Sequence, residues 1–160
     1  MDTPLLAKRL LFERFLPLLR LADDACVINV SSIAGVTGRS GPAGLLFSDG
    51  YAAANRAISG MTETWARMAA PGIRVNELML GLIDCRHGEG TRGWKALSGE
   101  ERTSLTGHTL LGRTGKPEEV TDAVLFLIRE ATFMTGSVIR IDGGYLLGGE
   151  EAAPMPPGIL

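Results

Sequence analysis

A large charge excess, a cysteine cluster and a long apolar run are all missing from this sequence. Its formal net charge is −2 over 160 residues, so nothing in it predicts a nucleic-acid or an acidic-membrane partner. The two cysteines, Cys26 and Cys85, lie far apart and outside any CxxC or His/Cys cluster, which disfavours a metal site and favours a reduced, cytoplasmic setting. No unbroken apolar run approaches the roughly 20 residues of a membrane-spanning helix. What remains is a chain of one domain's length, 45% hydrophobic, which suffices for a core.

Apolar segments of helical and of strand type alternate along the chain, and many of the 21 glycines fall between them. Because parallel strands are joined by crossover segments, usually helices, this alternation predicts an α/β fold with a parallel sheet covered by helices. That domain is predicted to span residues 1–148, followed by a flexible tail over residues 149–160. The predicted helices span residues 4–16, 51–70 and 98–105 and a segment from 117, and the predicted strands span 26–30, 73–78 and 137–141.

Three strands are few for a sheet of this kind. A parallel sheet needs cover on both faces and on most of its edges, and an isolated three-stranded piece leaves an apolar edge in water. We therefore expect the chain to form part of a larger unit, unless another chain completes it.

Tyr51 and Asn55 stand one helical turn apart at the start of an alanine-rich helix, so their side chains share a face. Ser32 follows a predicted strand, and ligands bind at the carboxyl ends of parallel strands. A phenol has an ordinary pKa of about 10, so proton transfer by a tyrosine near neutral pH needs a cation close by, such as a lysine one turn on. Asn55 is neutral, and Arg56 is turned away from Tyr51 at helical pitch. Taken alone, Ser32 and Tyr51 fit ordinary strand-end and helix-start residues better than a catalytic site.

Six short motifs that follow one another along the chain favour a catalytic site instead, although none of them is specific by itself. They are NVSS (29–32), YAAAN (51–55), PGIRVN (71–76), LGLIDC (80–85), GKPEEV (115–120) and TGSVIRIDGG (135–144). In this order they resemble the C-terminal portion of classical short-chain dehydrogenases/reductases, most nearly the 3-oxoacyl-ACP-reductase-like members. YAAAN stands where that family has Tyr-x-x-x-Lys, and LGLIDC stands where it commonly has Pro-Gly-x-x-x-Thr. The similarity covers nearly the whole chain, from about Thr3 to Gly148.

The resemblance implies the second half of a Rossmann-like fold and hydride transfer between a carbonyl and an alcohol with NAD or NADP. In such enzymes a serine orients the substrate oxygen, a tyrosine passes the proton, and a lysine binds the nicotinamide ribose and lowers the tyrosine pKa. The resemblance therefore makes Ser32, Tyr51 and Asn55 the candidate catalytic residues. Backbone from Gly81 to Ile83 would face the nicotinamide, and Cys85 replaces the usual hydroxyl with a weaker donor. The candidate cofactor-binding residues are Tyr51, Asn55, Gly81, Ile83 and Cys85.

The glycine-rich phosphate loop of the family, between a first strand and its helix, has no counterpart in these 160 residues. One expectation is therefore a truncated oxidoreductase that is inactive as an isolated chain, with a small carbonyl or alcohol substrate when complete. A second is a degenerate, non-catalytic subunit with an oligomerising or regulatory role. A third is an active reductase that uses Asn55 and a cofactor held by a partner chain.

Two further expectations concern surfaces. The family often dimerises through two long helices, which are residues 4–16 and 51–70 here, so we expect a homo-oligomer. The loop between Ser32 and Tyr51 is longer than the common family pattern, and an insertion near residues 39–44 is expected to reshape or cover the pocket entrance.

Overall fold

A computed structural model of the chain describes residues 3–85, 97–149 and 152–155. Its three strands form one parallel sheet in the order β1-β2-β3, which confirms the predicted α/β class. None of the described helices combines the length and apolarity needed to cross a membrane. The elements are α1 (Thr3–Leu19), β1 (Ala25–Ser32), α2 (Ala34–Thr37), α3 (Asp49–Ala69), β2 (Ile73–Leu80), α4 (Gly99–His108), α5 (Pro117–Arg129) and β3 (Val138–Ile141), with 3-10 turns at Pro42–Leu45 and Tyr145–Leu147.

Several element boundaries correct the predicted ones. α1 does not end near residue 16 but runs through Pro17 to Leu19, because Leu19 packs on the core beneath α1 and this packing outweighs the lost helix hydrogen bond. β1 includes Ser32 and β2 reaches Leu80, so both strands extend further toward the edge where the candidate site lies. After β2 the described chain continues to Cys85, and residues 86–96 lie outside the described part.

α3 spans Asp49–Ala69 rather than residues 51–70, and both of its ends have local causes. The Ser48 hydroxyl accepts the Tyr51 N–H at 3.1 Å and so caps the helix, which starts directly after it. Ala70 is extended because Pro71 follows, and a residue before proline avoids the helical region. α4 likewise runs from 99 to 108 instead of 98 to 105. Of the predicted tail, only Gly149 and residues 152–155 are described, and its flexibility stays a prediction.

The two faces of the sheet carry separate cores. On one face α1 and α3 pack over β1 and β2, where the rings of Phe12 and Trp65 stack with centroids 4.4 Å apart. On the other face α5 packs through Leu127 against Leu78. Successive side chains of a strand point to opposite faces, so odd-numbered positions of β2 face α1 and α3 and even-numbered ones face α5.

Arg74, on β2, fastens α5 to the sheet. Its guanidinium donates to the backbone carbonyls of Leu127, Ala131 and Ile128 at 2.7, 3.0 and 3.1 Å, and it pairs with Asp24 at 3.2 Å. The last carbonyls of a helix have no partners inside the helix, so this buried arginine caps the C-terminus of α5.

Candidate active site

Ser32 and Gly81 lie at the ends of neighbouring strands. Ser32 is in register with Leu80, the residue before Gly81, and the Gly81 N–H donates to the Ile141 carbonyl on β3 at 2.8 Å. A Cβ on Gly81 would stand 2.5 Å from the Cα of Asp142, a distance that no side chain tolerates. The carboxyl ends of all three strands thus meet at one edge, hereafter the site edge, and a glycine is required where two of them approach.

Gly35 brings the segment after Ser32 against α3. A Cβ on Gly35 would lie 2.8 Å from the backbone carbonyl carbon of Asn55, one turn after Tyr51. The buried Ser32 hydroxyl accepts the Ala34 N–H at 3.2 Å, which fixes its direction at the start of α2. Backbone packing therefore joins the segment that carries Ser32 to the helix that carries Tyr51.

Tyr51 is open to solvent and Asn55 is not. The Tyr51 side chain is 48% exposed, its ring lies 5.8 Å from that of Phe47, and its hydroxyl makes no hydrogen bond within the part of the chain that the structure describes. Asn55 is buried, and its Nδ2 donates to the Tyr51 backbone carbonyl at 2.9 Å. The neutral side chain at the predicted lysine position is thus turned back onto its own helix.

Part of the segment between Ser32 and Tyr51 is anchored to Tyr145, which follows β3. Residues Pro42–Leu45 of this segment form a 3-10 turn, and the Ala43 N–H donates to the Tyr145 hydroxyl at 2.7 Å. Burial raises the pKa of Tyr145, and the hydrogen bond from Ala43 lowers it in part. The Tyr145 and His108 rings are tilted by 64° to each other, with their centroids 4.6 Å apart. The apolar cluster beneath the site comprises Ile33, Ala43, Met79, Leu105 and Tyr145, with Leu46, Phe47, Leu82, Leu97 and Leu146 at its margin.

The backbone after Gly81 is held by a second strand-like pairing. Ile83 forms a parallel bridge with Gly115, whose N–H donates to the Leu82 carbonyl at 2.8 Å while its carbonyl accepts the Asp84 N–H at 2.7 Å. Cys85 is exposed at the end of this stretch. Polar backbone groups that could meet a nicotinamide are therefore placed by main-chain bonds rather than by side chains.

A charged pair supports the Gly115 side of this pairing. Glu119 accepts hydrogen bonds from the Arg113 guanidinium at 2.7 and 2.9 Å and from the Lys116 N–H at 2.7 Å. The Arg113 guanidinium, then the Lys116 backbone donor, lower the pKa of Glu119 to about 2. The carboxylate thus closes the turn at the start of α5.

Sequence reasoning missed three residues that shape this region. Neither Phe47 nor Tyr145 belongs to the predicted site, although Phe47 contacts Tyr51 and Tyr145 anchors the segment between Ser32 and Tyr51. Glu77 was read as part of an apolar strand, yet its carboxylate is fully buried and accepts a hydrogen bond from the Ser31 hydroxyl. A charged residue inside the run IRVNELML is the signal that could have identified it.

Comparison with known proteins agrees with the order of these elements. A family model described as enoyl-(acyl carrier protein) reductase matches residues 1–146. The chain belongs to the short-chain dehydrogenase/reductase family. It is 37% identical over 126 residues to the 3-oxoacyl-[acyl-carrier-protein] reductase FabG of Thermotoga maritima, covering 78% of this chain and 46% of the relative. Members of this family generally use NAD(P).

Two further similarities show how much of each protein is covered by the match. The short-chain dehydrogenase/reductase homolog YusR of Bacillus subtilis is 32% identical over 131 residues, covering 82% of this chain and 91% of YusR. The solved 3-oxoacyl-[acyl-carrier protein] reductase of Brucella melitensis superposes with a TM-score of 0.67 at 30% identity, covering 84% of this chain and 47% of that one. The chain spans about half the length of most relatives that it matches, and nearly all of YusR.

Proposed function

We propose that this chain is the catalytic half of an NAD(P)-dependent oxidoreductase that moves a hydride between a carbonyl and an alcohol, and that it is inactive as an isolated chain. The observation that carries the proposal is the meeting of Ser32 and Gly81 at the site edge, with α3 and its exposed Tyr51 packed against the segment after Ser32. These are the positions at which the family has its serine, its tyrosine and its nicotinamide-facing backbone.

The chain's own residues suit the reacting end of a nicotinamide. The Ser32 hydroxyl accepts from Ala34, so its hydrogen stays available to donate to a substrate oxygen. Tyr51 has an accessible hydroxyl that can give or take the proton. Backbone at Gly81 and Ile83, with Cys85 beyond them, would line the nicotinamide, which supplies or receives the hydride.

Asn55 would have to leave the Tyr51 carbonyl before its amide could reach a ribose hydroxyl. It brings no positive charge, and the described residues offer no glycine-rich turn between a first strand and its helix to hold a pyrophosphate. We therefore expect fluorescence titration to show no NAD(P)H binding by the isolated chain. A micromolar dissociation constant would contradict this expectation.

A chimera measures separately how the first half of the fold and how a lysine at position 55 affect activity. The first half of the Thermotoga relative would be fused ahead of Thr3, with Asn55 kept or replaced by Lys, and NADPH oxidation followed with a 3-oxoacyl thioester. General acid–base catalysis contributes roughly 10²- to 10⁴-fold, so the Asn55→Lys chimera should exceed the Asn55 chimera by a factor in that range. The Asn55→Lys change in the isolated chain should give no turnover. Equal rates in the two chimeras would show that Asn55 suffices.

The alternative is a non-catalytic, oligomerising subunit, and one surface favours it. α1 and α3 form an open groove of about 650 Å³ lined by apolar side chains such as Leu6, Met61 and Met68, with Arg9 and Glu13 at its rim. A groove of this kind on the two helices predicted to dimerise suits a second copy of the chain.

Light scattering coupled to size-exclusion chromatography tests this surface. Leu6→Glu should convert an oligomer to a monomer, because it places a charge in the groove. Leu21→Glu is the matched control, since Leu21 is 82% exposed and lies outside the groove lining. An unchanged mass for Leu6→Glu would exclude the groove as the contact.

A further inference from the structure

Glu77 is a buried carboxylate, and one of its two oxygens has no hydrogen-bond partner. It lies in the middle of β2, where its side chain is fully buried. Its Oε1 accepts the Ser31 hydroxyl, whereas its Oε2 is buried without a hydrogen-bond partner. Burying a charge is unfavourable unless it is paired and hydrogen-bonded, so a second partner for this carboxylate is expected.

Neither residue opposite Glu77 on the neighbouring strands forms a hydrogen bond with Oε2 in the described part of the chain. Asn29 stands opposite Glu77 on β1, but its amide donates to the Thr62 hydroxyl on α3 at 2.9 Å. Val138 stands opposite on β3 and is apolar. The remaining element on this face of the sheet is α1.

The packing of α1 brings Lys8 to the level of Glu77. Phe12 shares the core cluster with Val75, and α1 runs toward the start of β1, so its N-terminal direction follows the strands toward the site edge. From Phe12 back to Lys8, α1 advances by about 6 Å along its axis, and from Val75 to Glu77, β2 advances by about 6.6 Å. Because the two distances are nearly equal, Lys8 lies at the same level as Glu77. Lys8 is half-buried; burial lowers its pKa, and the charge of Glu77 raises it.

The structure shows no ion pair between Lys8 and Glu77, and we propose that the Lys8 ammonium swings onto Glu77 Oε2, so that a chain from the half-buried Lys8 through Glu77 to Ser31 ties α1 and β2 to the strand end that carries Ser32. Lys8 and Glu77 are then positioning residues. Ser31 is held by Glu77, and Ser32 follows it directly in β1. The four single bonds of the lysine stem allow the ammonium to reach the vacant oxygen. This holds whether or not the chain is catalytic, because it concerns how the strand end is fixed.

Lysine-selective NMR of the intact chain tests the contact without any activity assay. In the wild type the Lys8 ammonium should be protected from rapid hydrogen exchange. In Glu77→Gln its pKa should fall, because the raising charge is removed while the burial stays. The backbone amide signals of Ser31 and Ser32 should shift in Lys8→Met, and Lys8→Arg should restore them. Arg9→Met is the matched control, since Arg9 is exposed on the same helix, pairs with Glu13 at 2.8 Å and should leave those signals unchanged.

A double-mutant cycle gives an independent readout. The decrease in melting temperature in Lys8→Met/Glu77→Gln should be smaller than the sum of the two single decreases, because either change alone leaves the other side chain without its partner. Arg9→Met combined with Glu77→Gln should be additive. Additive losses for Lys8 and Glu77, or a Lys8 pKa unchanged by Glu77→Gln, would overturn the proposal. If Glu77→Gln does not fold, a Lys8 ammonium in the wild type that exchanges as fast as that of the exposed Lys116 also overturns it.

Discussion

The base of the sheet and its site edge are built by different means. At the base, where Ala25 and Ile73 begin their strands, side chains carry the structure through the stacked Phe12 and Trp65 rings and the buried Arg74. At the site edge, glycines and backbone hydrogen bonds carry it, as at Gly35, Gly81 and Gly115, with the Tyr145 hydroxyl as the main side-chain anchor.

This difference explains how the site edge can keep its shape without the family's lysine. Ser32 and Gly81 are placed by main-chain contacts that do not involve the side chain at position 55. Under the proposed function, an asparagine instead of a cation at position 55 would therefore change the chemistry of the site and leave its scaffold in place. The predictions below separate the two regions further.

The largest effect is expected at the base. Trp65→Ala should lower the free energy of unfolding by about 3–5 kcal/mol, because it removes the ring that stacks on Phe12 and leaves a cavity between α1 and α3. Urea denaturation at fixed protein concentration measures it. Trp65→Phe, which keeps an aromatic ring, should lose clearly less. Equal losses for the two variants would mean that the stacking contributes little.

A smaller loss is expected when a backbone contact at the site edge is blocked. Gly81→Ala should lower the free energy of unfolding by about 1–3 kcal/mol, since its Cβ would overlap the Asp142 backbone. Gly107→Ala is the control, because a Cβ there meets nothing within 4 Å, and it should stabilise helix α4 by about 0.5–1 kcal/mol. If Gly81→Ala is as stable as wild type, the close approach of the strand ends is wrong.

The two tyrosines provide the next contrast. Tyr145→Phe should cost about 1–3 kcal/mol, because the buried Ala43 N–H loses its acceptor. Hydrogen exchange at the Ala43 amide should accelerate in the same variant. Tyr51→Phe should change stability by less than about 0.5 kcal/mol, since its exposed hydroxyl bonds to none of the described residues. A costly Tyr51→Phe would show that Tyr51 has a structural role.

The smallest effect concerns the charged pair beside Gly115. The folded-state pKa of Glu119 lies at about 2, below its ordinary 4.5, so its contribution to stability is present above about pH 4.5 and is lost as the pH falls toward 2. Glu119→Gln should flatten the pH dependence of stability in that window and leave the melting temperature near pH 7 only slightly changed. Glu118→Gln, a neighbour with no such ion pair in the structure, should leave the pH dependence as it is. A wild-type curve that Glu119→Gln leaves unchanged would show that the pair with Arg113 does not form in solution.

Local signals allowed the helices and strands to be predicted well, and non-local packing caused the errors. Both ends of α3 have local causes, the Ser48 cap and Pro71, and the predicted bounds of 51 and 70 lie within two residues of the observed ones. The end of α1 was wrong, because Pro17 argues for a stop whereas the contact that continues the helix joins Leu19 to a core formed by distant strands. The fold of the Ser32–Tyr51 segment could not be predicted either, since its anchor, Tyr145, lies about a hundred residues further on.

By itself the sequence determined the α/β alternation, the family and the positions of Ser32, Tyr51 and Asn55 on their strand and helix. It could do so because periodicity, caps and ordered motifs are properties of neighbouring residues. Only the tertiary structure decided that the Asn55 amide is committed to its own helix, that glycines set the spacing at the site edge, and that Glu77 carries a buried carboxylate beside the serine strand. Each of these depends on which distant groups meet when β1, β2 and the helices pack, and spacing along the chain does not encode those distances.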